Sequence, residues 1–263
     1  MTDQLLLTET DGRGVATVTL NRPEVNNAYN RELLEALQAA LPGLAADDAV
    51  RCLVLRGNGK HFQAGADLKF LKQTATLSAA ENDAMSRLTT SCIRDLNEFP
   101  KPTLGLVHGG CFGGGVGMAA ACDIVVASED AVFAITEVRW GVVAGPIVPQ
   151  LVAAMGAQEV RRYALTAERF GAIEAKRMGF VHDVCPEGGL DAAAAPIIDA
   201  ILLNGPDAVA ETKAMILDVA GLRVGDDFVA SLAKAHSAKR QSEEAAEGFQ
   251  SFIEKRKPAW YPE

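Results

Sequence analysis

Apolar residues recur with strand and helix periods through the first part of the chain. The segment 14–20 alternates apolar and polar residues and predicts a strand, and the apolar run 52–55 predicts a more buried one. Between them, Asn30 is suited to begin a helix whose leucine face extends from Leu33 to Leu41. Strand and helix therefore alternate, which favours an α/β fold around one core.

A second helix and two further strands follow. Ser78 and Glu81 have the spacing of a capping box and predict a helix that ends before Pro100. Apolar runs then predict strands at 103–107 and 123–127. The first two thirds of the chain are thus predicted to repeat units of strand and helix.

The last part of the chain has a different composition. After about residue 188, strand patterns disappear, and alanine, leucine and charged residues predict helices. We therefore predict a core of residues 1–195 that holds the active site, followed by a helical region, 196–263. Such a helical region can pack on its own core or on neighbouring subunits.

Composition narrows the classes of function. The net charge of −9 and the isoelectric point of about 5.0 argue against nucleic acid as the main partner. No span reaches the roughly 18 uninterrupted apolar residues of a membrane helix, and the first residues lack the features of a signal peptide. We therefore expect a cytoplasmic protein that does not bind membranes. The five cysteines and four histidines have no metal-ligand spacing, so free thiols and no metal site are expected.

Three adjacent glycines, Gly113 to Gly115, stand between the strand predicted at 103–107 and a helix of small residues. The unpaired N–H groups of such a helix start can hold a phosphate, a carboxylate or a developing oxyanion, although a tight turn alone also explains glycines there. A dinucleotide-binding pattern can be written from Gly115 through Gly117. However, the acidic residue that such a site requires comes too early, which argues against NAD.

A second glycine turn, residues 61–68, follows the strand predicted at 52–55. Backbone N–H groups near Ala66 and near Gly114 can therefore point at the same carbonyl oxygen. That is the requirement of an oxyanion hole, in which each donor contributes about 3 kcal/mol to the stability of the transition state. Either loop alone would be weak evidence for an oxyanion hole.

Motifs along nearly the whole chain resemble, in order, those of the crotonase superfamily, the enoyl-CoA hydratase/isomerase family. The matching segments are Leu20–Pro23 with Asn27–Ala28, Ala64–Leu68, Pro100–Pro102, Gly113–Gly115, Cys122–Ile124, Glu137 with Gly141, and Glu247–Arg256. The resemblance implies a spiral of strand-strand-helix units, followed by a helical region used in trimers that often pair as hexamers. It also implies an acyl-CoA thioester as substrate and no cofactor beyond the coenzyme A of that substrate.

The resemblance assigns roles to individual residues. It places the oxyanion-hole donors at the N–H groups of Ala66 and Gly114. It assigns substrate or coenzyme A binding to Asn26, Ala28, Ala64, Asp67, Leu68, Gly113, Gly141 and Lys255. Lys255 lies in a basic stretch that is equally typical of a solvated helix end.

Hydratases of the family use two glutamates on opposite sides of a water molecule. The resemblance places one at Glu137 as a general acid/base, and Gly117 stands at the position of the other. Members with a single carboxylate include enoyl-CoA isomerases and feruloyl-CoA hydratase-lyases. A noncatalytic acyl-CoA binding protein is a further alternative, which Gly117 favours mildly and Glu137 disfavours.

A third group of single-carboxylate members is more similar overall. Bacterial 3-methylglutaconyl-CoA and isohexenylglutaconyl-CoA hydratases have a glycine at the position of Gly117 and resemble segments 136–139, 161–170 and 255–260. Segment 142–149 and Gln63 depart from their pattern and affect the predicted acyl pocket. The sequence thus predicts a hydratase for a branched or carboxylated 2-enoyl-CoA such as 3-methylglutaconyl-CoA.

Overall fold

The computed structural model describes residues 4–74, 76–221 and 223–260. Its strands, in chain order, are β1 (Leu6–Thr10), β2 (Val15–Leu20), β3 (Cys52–Gly57), β4 (Thr103–Val107), β5 (Gly110–Phe112), β6 (Ile124–Ser128), β7 (Val132–Ala134), β8 (Phe170–Gly171) and β9 (Asp183–Cys185).

Ten helices accompany these strands in the described ranges. They are α1 (Arg31–Ala46), α2 (Leu68–Thr74), α3 (Ala79–Asn97), α4 (Gly114–Ala120), α5 (Val148–Thr166), α6 (Ala172–Arg177), α7 (Leu190–Leu202), α8 (Pro206–Val219), α9 (Asp226–Arg240) and α10 (Glu243–Ile253). Short 3₁₀ helices occupy Pro23–Val25, Glu137–Trp140 and Gly145–Ile147.

The strands form two sheets that the chain visits in turn. The larger sheet has the order β1-β2-β3-β4-β6-β9, and the smaller has the order β5-β7-β8. All neighbours in the larger sheet are parallel except the β1–β2 hairpin. The chain passes from β4 to β5 and then from β6 to β7, so it alternates between the sheets. This architecture confirms the predicted α/β spiral.

The longer predicted elements are confirmed, and their caps form as expected. The Asn30 side chain accepts a hydrogen bond from the backbone N–H of Leu33, 3.0 Å away, at the start of α1. Ser78 and Glu81 exchange the two hydrogen bonds of a capping box at the start of α3. These bonds satisfy N–H groups that have no acceptor within the helix.

The helical end of the chain packs against the core. Helix α9 lies along α3, where the buried Asn82 side chain donates a hydrogen bond of 2.7 Å to the carbonyl oxygen of Ser237. Earlier in this region, two apolar side chains are exposed to solvent: Leu203, just after α7, and Val219, at the end of α8. The division of the chain at residue 195 and the oligomeric role of the following region stay predictions.

No single helix in the described ranges has the length and hydropathy of a membrane span; α7 and α8 satisfy that test only as a pair, which is bent by 103°. Among the same residues, no group of three or more histidine, cysteine, aspartate or glutamate side chains is arranged to hold a metal ion. All five cysteines are free and buried.

Candidate active site

Glu137 begins the 3₁₀ helix that follows β7, and its side chain lines a cavity of about 100 Å³. The residue as a whole is half-buried, but its Oε2 atom is enclosed and has no hydrogen-bond partner among the described residues. Burial raises the pKa of Glu137 to about 7, and the nearby backbone N–H groups of Glu137 and Thr136 limit the rise. A carboxyl group with a pKa near neutrality can both accept and return a proton.

The two predicted oxyanion donors lie in the wall of the same cavity. Gly114 is the first residue of α4, and its N–H group has no intrahelical acceptor for that reason. The neighbours of Ala66 are bonded to the segment at Tyr29: the Tyr29 N–H donates to the Gly65 carbonyl, and the Asp67 N–H donates to the Tyr29 carbonyl, both at 2.8 Å. The N–H groups of Ala66 and Gly114 have no acceptor within the described chain, so both are free to bind a thioester oxygen.

Gln63 joins the two donor loops. Its fully buried side chain accepts a hydrogen bond from the N–H of Gly65 at 2.7 Å and donates one to the Gly65 carbonyl at 3.1 Å. Its backbone carbonyl accepts from the N–H of Phe112 at 2.9 Å. Gln63 therefore fixes the turn that presents Ala66.

Close approach explains all three adjacent glycines. A Cβ at Gly115 would lie 2.5 Å from Gln63 Oε1 and 2.7 Å from the Gln63 carbonyl oxygen. A Cβ at Gly114 would lie 2.6 Å from the ring atom Cε1 of Tyr29. Gly113 has a φ of 51°, and a Cβ there would lie 3.2 Å from both Glu137 Oε1 and Thr136 Oγ1. The glycines thus allow Tyr29 and Glu137 to pack directly on the start of α4.

The side chain of Ile147 fills the space that a side chain at position 117 would need. A Cβ at Gly117 would lie 2.0 Å from Ile147 Cγ2 and 2.6 Å from Ile147 Cβ. Ile147 is 2% exposed and contributes to the cavity wall. An aliphatic side chain therefore fills the space beside Gly117, the position at which the resemblance places the second glutamate of two-glutamate hydratases. Glu137 is the only carboxylate among the described residues of the lining.

We expect Gly117→Ala to lower the free energy of unfolding by about 1–3 kcal/mol, because the added methyl group overlaps Ile147 in a packed core. Chemical denaturation measures this change. Gly43→Ala in α1 is the matched control, since a Cβ there meets no atom within 4 Å, and it should leave stability unchanged or raise it slightly. Equal stabilities of the Gly117→Ala variant and the wild type would contradict the overlap.

Asp67 and Leu68 stand at the start of α2. The Asp67 carboxylate forms a nearly buried ion pair with Arg22 at 2.8 Å, and its other oxygen accepts a hydrogen bond from the N–H of Lys69 at 2.7 Å. Both oxygens of Asp67 are thus used to join the loops and begin the helix. The side chain of Leu68 lies outside the described residues.

Two of the other residues assigned to coenzyme A or substrate line the cavity, whereas Asn26, Ala28, Gly141 and Lys255 are not part of its lining. Ala64 and Gly113 line it, and the exposed Asn26 accepts a hydrogen bond from the N–H of Ala64 at 3.0 Å through its carbonyl oxygen. Ala28 is buried beside this turn. Gly141, with a φ of 66°, packs its backbone against α10. Lys255 is exposed beyond the end of α10.

The helical end of the chain supplies cavity residues that the sequence patterns did not indicate. His236 and Arg240 of α9 and Phe249 and Phe252 of α10 line the cavity. The Phe252 ring packs on Trp140 with centroids 4.2 Å apart. Helices α9 and α10 of the region 196–263 thus form one wall of a cavity whose other walls come from residues 1–195. Nothing in the periodicity of these helices indicated which residues face the site.

The remaining wall is apolar. It consists of Phe70, Leu71, Val142, Val143, Pro146 and Ile147. A larger cavity of about 730 Å³ lies elsewhere, lined by residues that include Arg56, Lys60, His61 and Asp130. It contains neither the free N–H groups nor the Glu137 carboxylate. The smaller cavity is therefore the candidate active site.

Known proteins are similar to this chain over nearly its whole length. The model of the enoyl-CoA hydratase/isomerase family matches residues 10–263. A putative enoyl-CoA hydratase of Thermus thermophilus is 38% identical over 93% of this chain and 96% of its own length. A mevalonyl-coenzyme A hydratase of Beauveria bassiana is 35% identical over 94% of this chain and 91% of its own. Among solved structures, an enoyl-CoA hydratase of Mycobacterium avium superposes with a TM-score of 0.87 at 31% identity, covering 99% of this chain and 100% of that one.

Proposed function

Because this chain belongs to the enoyl-CoA hydratase/isomerase family, we propose that it adds water to the double bond of a 2-enoyl-CoA thioester. The observation that carries the proposal is the convergence on one cavity of two free N–H groups, at Ala66 and Gly114, and one carboxyl group, Glu137, with a pKa of about 7. Adding water to a conjugated thioester requires such donors for the oxygen and a group that moves protons.

The proposed reaction uses one carboxylate in two steps. Ionised Glu137 removes a proton from water, and the resulting hydroxide bonds to the β-carbon. The electron pair of the double bond then moves onto the thioester oxygen, where the N–H groups of Ala66 and Gly114 stabilise the enolate. The protonated Glu137 next delivers its proton to the α-carbon, which restores the carbonyl and the carboxylate. Ile147 stands where a second glutamate would otherwise share these transfers.

The proposed acyl group is short and branched or carboxylated, with 3-methylglutaconyl-CoA as the specific candidate. This choice is supported by Gly117 and by three segments that resemble those of bacterial 3-methylglutaconyl-CoA hydratases, 136–139, 161–170 and 255–260. Coenzyme A would lie along the turn at Asn26 to Ala28 and the start of α2.

We also propose that the protein acts as a homotrimer or a pair of trimers. The exposed apolar side chains on α7 and α8, among them Leu203, Met215, Ile216 and Val219, support a covered face at this end of the chain. A cytoplasmic location remains part of the same proposal.

A single carboxylate also favours a second candidate, an enoyl-CoA isomerase. Moving a double bond from the 3- to the 2-position requires one base that removes a proton and returns it elsewhere, and Glu137 between the two donors suits that chemistry. The isomerase converts a 3-enoyl-CoA without net uptake of water.

A panel of thioesters tests the proposed function directly. 3-Methylglutaconyl-CoA, crotonyl-CoA and a 3-enoyl-CoA are incubated with the wild type, and products are separated by chromatography and identified by mass. We expect a hydrated product from 3-methylglutaconyl-CoA at the highest rate. Conversion of only the 3-enoyl-CoA would favour the isomerase, and no conversion of any thioester would contradict both.

We expect kcat/KM for hydration to fall by about tenfold per pH unit below about pH 7. The pKa of Glu137 is raised to about 7, so the base that accepts the proton from water is lost as the carboxylate becomes protonated. Initial rates between about pH 5.5 and pH 8.5 measure the profile. A profile that is flat down to about pH 5.5 would contradict Glu137 as the base.

A further inference from the structure

Arg240, the last residue of α9, places a guanidinium group in the wall of the active-site cavity. The residue is 5% exposed and lines the cavity together with Glu137, Ala66 and Gly114. None of the proton transfers proposed above uses it. Arginine is rarely buried unless it is paired, so its presence at this place requires an explanation.

The guanidinium has no counter-ion within residues 4–74, 76–221 and 223–260. Its Nε and Nη2 atoms are enclosed and form no hydrogen bond, and no described carboxylate forms an ion pair with it. The Phe70 ring centroid lies 5.7 Å from Cζ, and burial lowers the pKa of Arg240. Leaving a cation buried without an anion is strongly unfavourable.

The other charged and titratable groups of the cavity do not neutralise Arg240. Glu137 lines the same cavity but forms no ion pair with Arg240. His236 lies one turn earlier on α9, where burial and Arg240 lower its pKa to about 3, so it is neutral. Its Nδ1 atom is 3.1 Å from the Ser86 hydroxyl. The guanidinium of Arg240 is thus a buried cation that no described side chain pairs with directly.

The anion that fits this charge belongs to the acyl part of the substrate. Arg240 shares its cavity with the Ala66 and Gly114 donors, where the thioester is proposed to lie, so the acyl chain is the part of the substrate that can reach it. A carboxylate is small and planar and can accept two parallel hydrogen bonds from a guanidinium.

We propose that Arg240 binds a carboxylate at the far end of the acyl chain, and that the preferred substrate is therefore a short enoyl-CoA derived from a dicarboxylic acid. This inference rests on the proposed function, because it assumes that the thioester carbonyl lies at Ala66 and Gly114. Arg240 then sets which acyl group enters, and Glu137 performs the chemistry.

Binding of two saturated thioesters tests the inference without any turnover. Glutaryl-CoA and valeryl-CoA have acyl chains of equal length that end in a carboxylate and in a methyl group. Isothermal titration of each into the wild type, Arg240→Met, Arg240→Lys and Arg13→Met gives the preference for the carboxylate. Arg13 is a matched control because it is exposed and lies outside the cavity.

We expect the wild type and Arg13→Met to bind glutaryl-CoA about 10- to 100-fold more tightly than valeryl-CoA. Arg240→Met should abolish this preference while leaving the affinity for valeryl-CoA unchanged, and Arg240→Lys should retain part of it. Equal affinities in the wild type, which needs no variant to fold, would overturn the inference. So would a preference that survives in Arg240→Met, or an equal loss of affinity for both thioesters in that variant.

The same proteins separate this inference from the proposed function. If glutaryl-CoA is preferred but no enoyl-CoA is hydrated, the hydratase assignment fails and the role of Arg240 stands. If crotonyl-CoA is hydrated as fast as 3-methylglutaconyl-CoA and glutaryl-CoA is not preferred, the hydratase assignment stands and the role of Arg240 is overturned.

Discussion

Replacing Glu137 by glutamine is expected to lower kcat for hydration of a 2-enoyl-CoA by about 10²- to 10⁴-fold. Glutamine has the shape of glutamate but can neither take a proton from water nor return one to the α-carbon. The fold should persist, because Oε2 of Glu137 has no hydrogen-bond partner to lose among the described residues. Steady-state rates and thermal unfolding together measure the effect.

Glu129→Gln is the matched control, since Glu129 is exposed in a turn and does not line the cavity; its rate should equal that of the wild type. The stability of Glu137→Gln should moreover be at least that of the wild type at about pH 8. The pKa of Glu137 is raised from 4.5 to about 7, so its contribution to folding is complete below pH 4.5 and is lost as the pH rises through about 7. Retention of more than about a tenth of the wild-type kcat would contradict the role of Glu137.

Replacing Gly114 by alanine is expected to lower kcat by about 10²- to 10³-fold. The added Cβ would lie 2.6 Å from the Tyr29 ring, so the backbone or the ring must move, and the N–H donor moves with the backbone. Because that N–H acts on charge that develops in the transition state, kcat should fall more than KM rises. Initial rates over a range of substrate concentrations separate the two constants.

Gly171→Ala provides the comparison. Gly171 lies directly before α6, as Gly114 lies at the start of α4, but a Cβ at Gly171 meets no atom within 4 Å. Its kcat should match that of the wild type. Tyr29→Leu in the Gly114→Ala background should recover part of the rate by removing the ring atoms that the methyl group meets. A Gly114→Ala enzyme with unchanged kcat would show that the position of this donor does not limit the rate.

The long elements of the fold could be predicted from the sequence because they carry many periods of apolar residues and explicit caps. The leucine face of α1 and the capping box of α3 are examples. Strands β5, β7 and β9 have three residues each, which is too short for a period to be visible. They are stabilised by sheet pairing between distant segments, which a single sequence does not display.

The sequence predicted the residues proposed to perform the chemistry, but not the residues that shape the cavity around them. Glu137, Ala66 and Gly114 were assigned by resemblance, and the structure places all three at one cavity. The reason for Gly117 was not visible, because it depends on contact with Ile147 from a different segment. Arg240 was not visible either, since a basic residue at the end of a helix is ordinarily a solvated one.

The most direct test of the proposed site is the exchange of α-hydrogen for deuterium in a saturated acyl-CoA dissolved in deuterated water. Removing that hydrogen needs a base and donors for the enolate oxygen, whichever acyl group is the natural substrate. Mass spectrometry should detect exchange with the wild type, at least about 10²-fold slower exchange with Glu137→Gln, and a similar loss with Gly114→Ala. Exchange at the wild-type rate in Glu137→Gln would contradict the assignment of Glu137 as the group that moves the proton.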